Sequence, residues 1–481
     1  MKVLLINPPF NRLKKVYHPY FPLGLGYLAA VLIKNGYQTK IYNSDGPDKK
    51  IARKTPLLQQ KFKGQESYIR SLEDDSAMVW QEVESVLSSY RPDLVGITSV
   101  SPVYPAAKKI ARLVKRFDKD IFVVMGGMHP STSPVEVLGD SNVDFLIVGE
   151  GEYSLFELVS ALGAGARKSD LKKITGLAYK RGRQIYINQR RELIKDLDSL
   201  PYPAREALIN PWPKNSDKKM ILASRGCPFD CAYCNSKKLW QRKYRARSVS
   251  SIIAEMVFLS KKYKINLFEF RDEIFLFYRA RMLEFCRILK ERKYNFHWSC
   301  DTRIDLVDKE IINDMAAAGC SFVSVGLESG SESSLIKLNK KLSIEEVLEK
   351  CRLIKKTGIL LNINLMVGLP WENKIDIFDN IDFIKKIKPN RVFIGVYTPL
   401  PGSDLNRGKY RIDIEGDQWR YYSFHSRYNF FIKSGMKRKD FIYFRDSMIK
   451  ISDKYNKCLT QKIIALLKRK LVRIIRDRQG V

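Results

Sequence analysis

Arg225-Gly226-Cys227-Pro228-Phe229-Asp230-Cys231-Ala232-Tyr233-Cys234-Asn235 is the stretch from which the rest of the chain is read. Cys227, Cys231 and Cys234 fall in C-x3-C-x2-C spacing, and none of the other cysteines precedes them. Three thiolates can ligate three irons of a cubane 4Fe-4S cluster and leave the fourth iron open to a small molecule. A structural zinc site closes on four protein ligands. Here the next cysteine is Cys286 and the next histidine is His297, so a zinc knuckle fits poorly.

Upstream of this loop the chain alternates short apolar runs with helical patterns. Residues 2–6 end at Asn7-Pro8-Pro9, a buried strand stopped by a loop; a helical pattern covers 23–35, and a second strand covers 39–42. The polar, basic segment 49–67 reads as a loop or insertion. A helix at 77–90, strands at 93–99, 121–125 and 143–148, and a helix at 106–117 follow. Such alternation predicts a doubly wound, flavodoxin-like parallel sheet, which binds ligands at the carboxyl ends of its strands. The expected rim is residues 7–9, 98–102, 126–130 and 149–152. Its candidate contacts are Thr98, Ser99, Gly126, Gly127, His129, Gly149 and Glu150, where glycine lets backbone approach a ligand and hydroxyls supply hydrogen bonds. Neither a Walker pattern nor G-x-G-x-x-G is present, which argues against a P-loop or an ordinary dinucleotide site.

A small hairpin is expected around Lys180–Arg183, and Leu200-Pro201-Tyr202-Pro203 with Pro211-Trp212-Pro213 marks a linker. Six strand candidates then alternate with helices: 220–224, 267–270, 296–300, 322–327, 360–366 and 392–397. They suit an open (β/α)6 barrel, with functional residues at the carboxyl ends of the strands and the cysteine loop directly after the first. The expected organisation is a ligand-binding domain over 1–165, hairpin and linker over 166–215, barrel over 216–405 and a helical basic region over 406–481. In the last, residues 463–475 form a basic amphipathic pattern that suits packing against the barrel or, alternatively, peripheral contact with an anionic membrane.

The chain has 481 residues, 45% of them hydrophobic, enough for two or three cored domains. Eight cysteines without a paired framework point to a reducing compartment, read here as the cytoplasm. The opening apolar run is too short for a signal peptide, and no stretch nears a membrane span. The net charge of +33 is spread along the chain, so a solvated basic surface accounts for most of it and nucleic acid is not the expected partner. Cys286, Cys300, Cys320, Cys351 and Cys458 lack cluster spacing and read as buried small residues.

Taken together, residues 1–405 resemble the cobalamin (B12)-binding-domain radical S-adenosylmethionine enzymes. Beside the cysteine loop, the resemblance rests on Pro22-Leu23-Gly24-Leu25, Gly126-Gly127-Met128-His129-Pro130, Gly149-Glu150-Gly151-Glu152, Gly326-Leu327-Glu328-Ser329 and Gly368-Leu369-Pro370-Trp371-Glu372. It implies three cofactors: a 4Fe-4S cluster on Cys227, Cys231 and Cys234, S-adenosyl-L-methionine on its open iron, and cobalamin held over the barrel mouth. Reduction of the sulfonium would release methionine and a 5'-deoxyadenosyl radical able to take hydrogen from an unactivated C–H bond. Tyr233 would lie beside the adenine, Glu328 would contact the ribose or methionine part, and Gly368 to Pro370 would let backbone pass the adenosyl group. Asp272 and Glu273 either face the cavity or act as helix N-terminal acids. No D-x-H-x-x-G occurs, since Gly46 and Pro47 follow Asp45, and a histidine-ligated cobalt is not expected. His129 is the substitute, read first as a hydrogen-bonding loop histidine.

The activity implied is cobalamin-dependent radical methylation of an unknown small molecule or lipid, with an electron donor such as flavodoxin or ferredoxin. A cyclisation, rearrangement or oxidation on the same cofactors is the runner-up. A tRNA methylthiotransferase would carry a second, N-terminal cysteine triad, which this chain lacks, and a non-catalytic cobalamin sensor is the remaining alternative. No individual catalytic side chain stands out.

Overall fold

The computed structural model describes residues 1–48, 51, 58–165, 170–414, 416–426 and 436–457. In the N-terminal part, β1 (Lys2–Asn7), β2 (Gln38–Asn43), β3 (Leu94–Thr98), β4 (Phe122–Gly126) and β5 (Phe145–Ile147) are parallel, with β6 (Leu177–Arg181) and β7 (Gln184–Ile187) added antiparallel. The order is β2-β1-β3-β4-β5-β6-β7. Val3, Leu4, Leu5 and Ile6 are completely buried because helices cover both faces of the sheet, which is why this strand reads as an unbroken apolar run. Strand order reverses at β1, which places a crevice at the carboxyl ends of β1 and β3. The hairpin expected near 180–183 is the β6–β7 pair, and it extends this sheet.

Helices α1 (Leu23–Lys34), α2 (Leu58–Glu73), α3 (Met78–Tyr90) and α4 (Tyr104–Phe117) follow in the same region. The second corrects the reading of 49–67 as loop or insertion, as far as residues 58–67 are concerned. Leu58, Phe62 and Ile69 stand four and then seven residues apart, one helical face among polar and charged residues, and Leu58 and Phe62 are buried in the core of the second domain. The polar face of α2 hid a stripe whose partner lies more than 150 residues away.

A short antiparallel ribbon, β9 (Ser224–Arg225) with β10 (Arg245–Ala246), brackets the cysteine loop. Six parallel strands, β8 (Met220–Ile221), β11 (Leu267–Phe270), β12 (His297–Thr302), β13 (Cys320–Glu328), β14 (Leu360–Val367) and β15 (Arg391–Val396), form the open barrel in that order. Alternation sorts its faces. Val323, Val325, Leu361, Ile363, Val392 and Ile394 point outward into the helix layer and are fully buried. Ser324, Asn362, Asn364, Arg391 and Phe393 take the opposite face.

Cys286, Cys300, Cys320 and Cys351 are buried, free thiols, while Cys458 lies outside the described residues. Of the C-terminal region, Asp404–Asn406, Gly408–Tyr410 and Gly416–Tyr421 form short 3-10 turns and 438–457 a helix. Ile414, Trp419 and Tyr422 join the core of the first sheet, whereas Phe441, Phe444, Met448 and Ile449 join that of the barrel. This segment therefore packs against both domains. The amphipathic pattern at 463–475 lies outside the described residues. Among those residues no helix is long and apolar enough to cross a membrane.

Candidate functional site

The cysteine loop is shaped by Gly226, whose φ of +96° and distance of 2.1 Å from an added Cβ to the Lys243 carbonyl oxygen exclude any side chain. It is tied down by Ala232 N–H to the Leu338 carbonyl at 3.0 Å and by Leu405 N–H to the Ala232 carbonyl at 2.9 Å. Each sulfur has a donor. The Phe229 amide serves Cys227, Ser236 N–H reaches Cys234 Sγ at 3.4 Å, and Arg303 Nη1 reaches Cys231 Sγ at 3.3 Å. Burial pushes the Cys227 thiol up to about 12 and Cys234 to about 11, and the neighbouring thiols add to both. Three mutually close sulfurs, supplied with N–H donors, form a donor set suited to thiolate ligation of iron. Among the described residues no three ligand side chains converge as they would around a single ion.

Behind the loop, the Tyr233 hydroxyl donates to Glu328 Oε1 at 2.8 Å. Glu328 ends β13 at a register shift with φ +73°, a backbone conformation uncommon outside glycine and held here by its surroundings. Lys340 Nζ lies 3.7 Å from Glu328 Oε1 and donates to the Gly326 carbonyl at 2.9 Å. Gly368 and Pro370 are buried, and the Gly368 amide donates to Glu372. Asp272 accepts from the Ser224 hydroxyl and, at 3.2 Å, from the Ala223 amide; burial raises its carboxyl to about 7. Glu273 accepts from Gly226 N–H at 3.3 Å and Trp240 Nε1 at 2.6 Å. Both acids thus brace the cysteine loop, and neither caps a helix.

A cavity of about 530 Å³ lies between the two domains. Thr98, Gly126, Gly127, Gly149 and Glu150 line its first-domain side, and Met220, Leu222, Arg225, Trp240 and Arg271 its barrel side. An added Cβ on Gly127, which has φ +104°, would stand 2.7 Å from the Ser99 carbonyl oxygen. Gly24, at the start of α1, has nothing within 4 Å of an added Cβ. A side-chain-free floor with mainly aliphatic and aromatic walls suits the flat, largely apolar ring of cobalamin.

Three sequence-derived residues behave differently from a simple rim. His129 does not line the cavity. Its ring is fully buried between Tyr104, 4.1 Å away, and Trp419, 4.6 Å away, with Nδ1 3.1 Å from Ser101 Oγ. Burial lowers its pKa to about 3. Ser99 is also buried outside the cavity, and its carbonyl accepts from His129 N–H at 3.1 Å. Glu150 touches the cavity, but its carboxylate is taken by Arg225 at 2.7 Å, Arg245 at 2.8 Å and the Ile194 amide at 2.7 Å.

His18, which no sequence pattern singled out, does line the cavity. Burial, then Lys61 and Arg271, hold its imidazole neutral, with a pKa down near 4. A lone histidine in an irregular loop carries no signal of its own. Asp45, where a D-x-H-x-x-G motif would begin, is buried and accepts from the amides of Phe10 and Arg12 at 2.8 and 2.6 Å and from the Tyr20 hydroxyl at 3.1 Å.

Family comparison matches residues 12–159 to the B12 binding domain and residues 221–399 to the radical SAM superfamily. An uncharacterised methyltransferase of Pyrococcus horikoshii is 28% identical over 414 residues, covering 84% of this chain and 82% of its own. The anaerobic magnesium-protoporphyrin IX monomethyl ester cyclase of Rubrivivax gelatinosus is 26% identical, covering 89% and 72%. In structure, the radical S-adenosylmethionine methyltransferase TsrM of Kitasatospora setae, solved with tryptophan and a SAM analogue, superimposes with a TM-score of 0.65 at 19% identity, over 84% of this chain and 75% of that one. With both domain matches in sequence, a cysteine loop built for thiolate ligation and a cavity between the domains, the chain belongs to the radical SAM enzymes that carry a B12 binding domain, with a 4Fe-4S cluster, S-adenosylmethionine and cobalamin as cofactors.

Proposed function

We propose that the protein is a methyltransferase that uses cobalamin and S-adenosylmethionine to methylate an unactivated carbon of a small molecule. The observation that carries this reading is the shared cavity: glycines at the strand ends of the first domain face Arg225 and Trp240, which flank the cysteine loop. When bound, the cluster and S-adenosylmethionine supply a hydrogen-abstracting radical, and cobalamin supplies a transferable methyl group.

The protein's part is to bind and orient. Cys227, Cys231 and Cys234 hold the cluster, and Arg303 offsets thiolate charge. Tyr233 and Glu328 position S-adenosylmethionine beside it, with Gly368 and Pro370 giving its adenosyl part room. Gly126, Gly127, Gly149 and Thr98 form the floor on which cobalamin rests, His129 and Ser99 support that floor from behind, and Glu150, at the cavity wall, is held in place by Arg225 and Arg245. A one-electron donor of the flavodoxin or ferredoxin type completes the system. A lipid substrate predicts that the intact protein binds anionic vesicles at low salt, and absence of such binding would remove it from consideration.

The test is incubation of the reduced holoenzyme with methyl-labelled S-adenosylmethionine and extract metabolites. Label in a product, accompanied by 5'-deoxyadenosine, is the expected result. Deoxyadenosine without label in any product would replace methylation with a cyclisation or rearrangement, the reading favoured by similarity to the Rubrivivax cyclase.

A further inference from the structure

One row of side chains crosses the inner face of the barrel. Strand register aligns Asp301 with Ser324, Ser324 with Asn362, and Asn362 with Arg391. Asp301 is bonded to the Ser324 side chain, and Asn362 Nδ2 donates to Ser324 Oγ at 3.0 Å. At the far end the chain of contacts stops. Asn362 Oδ1 is buried without a donor, and the Arg391 guanidinium has no hydrogen bond or ion pair among the described residues.

A second cation shares that end. Lys61, on α2, places its ammonium 5.8 Å from the ring of Phe393, which stands two residues from Arg391 on the same face of β15. It also has no carboxylate partner among the described residues. Burial lowers the pKa of both, Lys61 to about 8, and the charge of Arg391 lowers Lys61 further. Of the other cations nearby, Lys219 meets Glu269 at 2.5 Å and Arg271 offsets Asp301, while buried Lys14, itself repelled by Lys61, donates to the neutral Gln65 Oε1 at 3.2 Å. Lys61 and Arg391 are thus a surplus of positive charge in a partly dehydrated site. Two like charges held together there oppose folding unless an anion joins them.

We propose that Lys61 and Arg391 are the anion-binding end of the substrate site, and that the substrate is an organic anion carrying a phosphate or carboxylate group. The assignment rests on the reading of the barrel interior as the substrate chamber of a radical enzyme. Ser324 lies four residues before Glu328 on β13, roughly 13 Å along the strand. An anchored anion would leave the reacting carbon of an extended substrate near the Tyr233–Glu328 pair, so that remote binding energy is used for orientation.

The experiment is calorimetric titration of the intact, cofactor-loaded protein, without reductant, using phenyl phosphate, benzoate and neutral benzyl alcohol. One saturable site is expected for phenyl phosphate or benzoate and none for benzyl alcohol, and the tighter of the two anions identifies the group. Lys61→Gln and Arg391→Gln should each weaken that site by about tenfold or more. Lys61→Arg and Arg391→Lys should retain most of it, and they also control for a fold damaged by loss of charge. The exposed double variant Lys261→Gln/Lys356→Gln should bind as the unmodified protein does. Absence of a saturable site for either anion, or binding unchanged by both neutral substitutions, overturns the proposal. Because no turnover is read, a failure of the methyl-transfer reading appears separately, in the label experiment.

Discussion

Arg225, two residues before the first cysteine of the loop, donates to Glu150 at 2.7 Å and to Glu152 at 2.6 Å, and all three side chains are buried. Its guanidinium also stands 5.0 Å from the Tyr27 ring on α1. The Gly149-Glu150-Gly151-Glu152 turn of one domain is therefore bolted to the cysteine loop of the other. The cavity wall and the cysteine loop are thereby held together by an ion network buried from solvent.

Removing Arg225 tests that coupling. In Arg225→Met, Glu152 loses its ion-pair partner among the described residues, and an uncompensated buried charge costs about 3–5 kcal/mol. Chemical denaturation should show a loss of that order. Cobalamin retention on gel filtration should fall with it, because the cavity wall and the loop separate.

Alanine at Cys227, Cys231 or Cys234 should abolish the charge-transfer absorbance of the reconstituted cluster and the formation of 5'-deoxyadenosine. Alanine at the buried Cys351 should leave both in place. Cluster content and deoxyadenosine unchanged in the triple variant would remove the enzyme reading.

Gly127→Ala places a Cβ 2.7 Å from the Ser99 carbonyl in a backbone region open almost only to glycine. A cost of about 1–3 kcal/mol is expected. Part of it should appear as weakened cobalamin binding, measured by equilibrium dialysis against the unmodified protein.

Tyr233→Phe removes the hydroxyl that Glu328 accepts while keeping the ring. If the pair positions S-adenosylmethionine, KM for this cosubstrate should rise several-fold and deoxyadenosine formation should fall, with cluster absorbance retained. Unchanged KM and turnover would reassign the pair to packing of the loop.

Glu372 yields a pH prediction. Burial raises its carboxyl from near 4.5 to about 8, against the amide donors Gly368 and Leu369, with nearby Asp376 adding to the rise. The folded protein therefore holds this proton more tightly than the unfolded chain. Its contribution is fully favourable below about pH 4.5 and is lost as pH rises to about 8, with a slope of at most about 1.4 kcal/mol per pH unit. Glu372→Gln should flatten the decline in melting temperature across that window.

Both α/β domains were readable from the chain because buried parallel strands are continuous apolar runs, and the cysteine loop because its spacing is local. Helix α2 was not readable, since its apolar stripe is interrupted by charges and meets a core built from distant residues. Glu150 and His129 show the same limit at the site. A sequence shows an acid or an imidazole at a strand end, and it does not show that Arg225 and Arg245 occupy the first or that Tyr104 and Trp419 enclose the second.

The sequence by itself determined the class of chemistry, because three thiolates at that spacing are a property of the ligands and not of their surroundings. Tertiary structure alone decided how the cysteine loop is joined to the first domain and which charges are left over. Arg225 finds its acids from the other domain, while Lys61 and Arg391, far apart in the chain, share one end of the barrel without an acid between them. Burial and pairing belong to the three-dimensional arrangement, since the cost of a charge depends on what surrounds it.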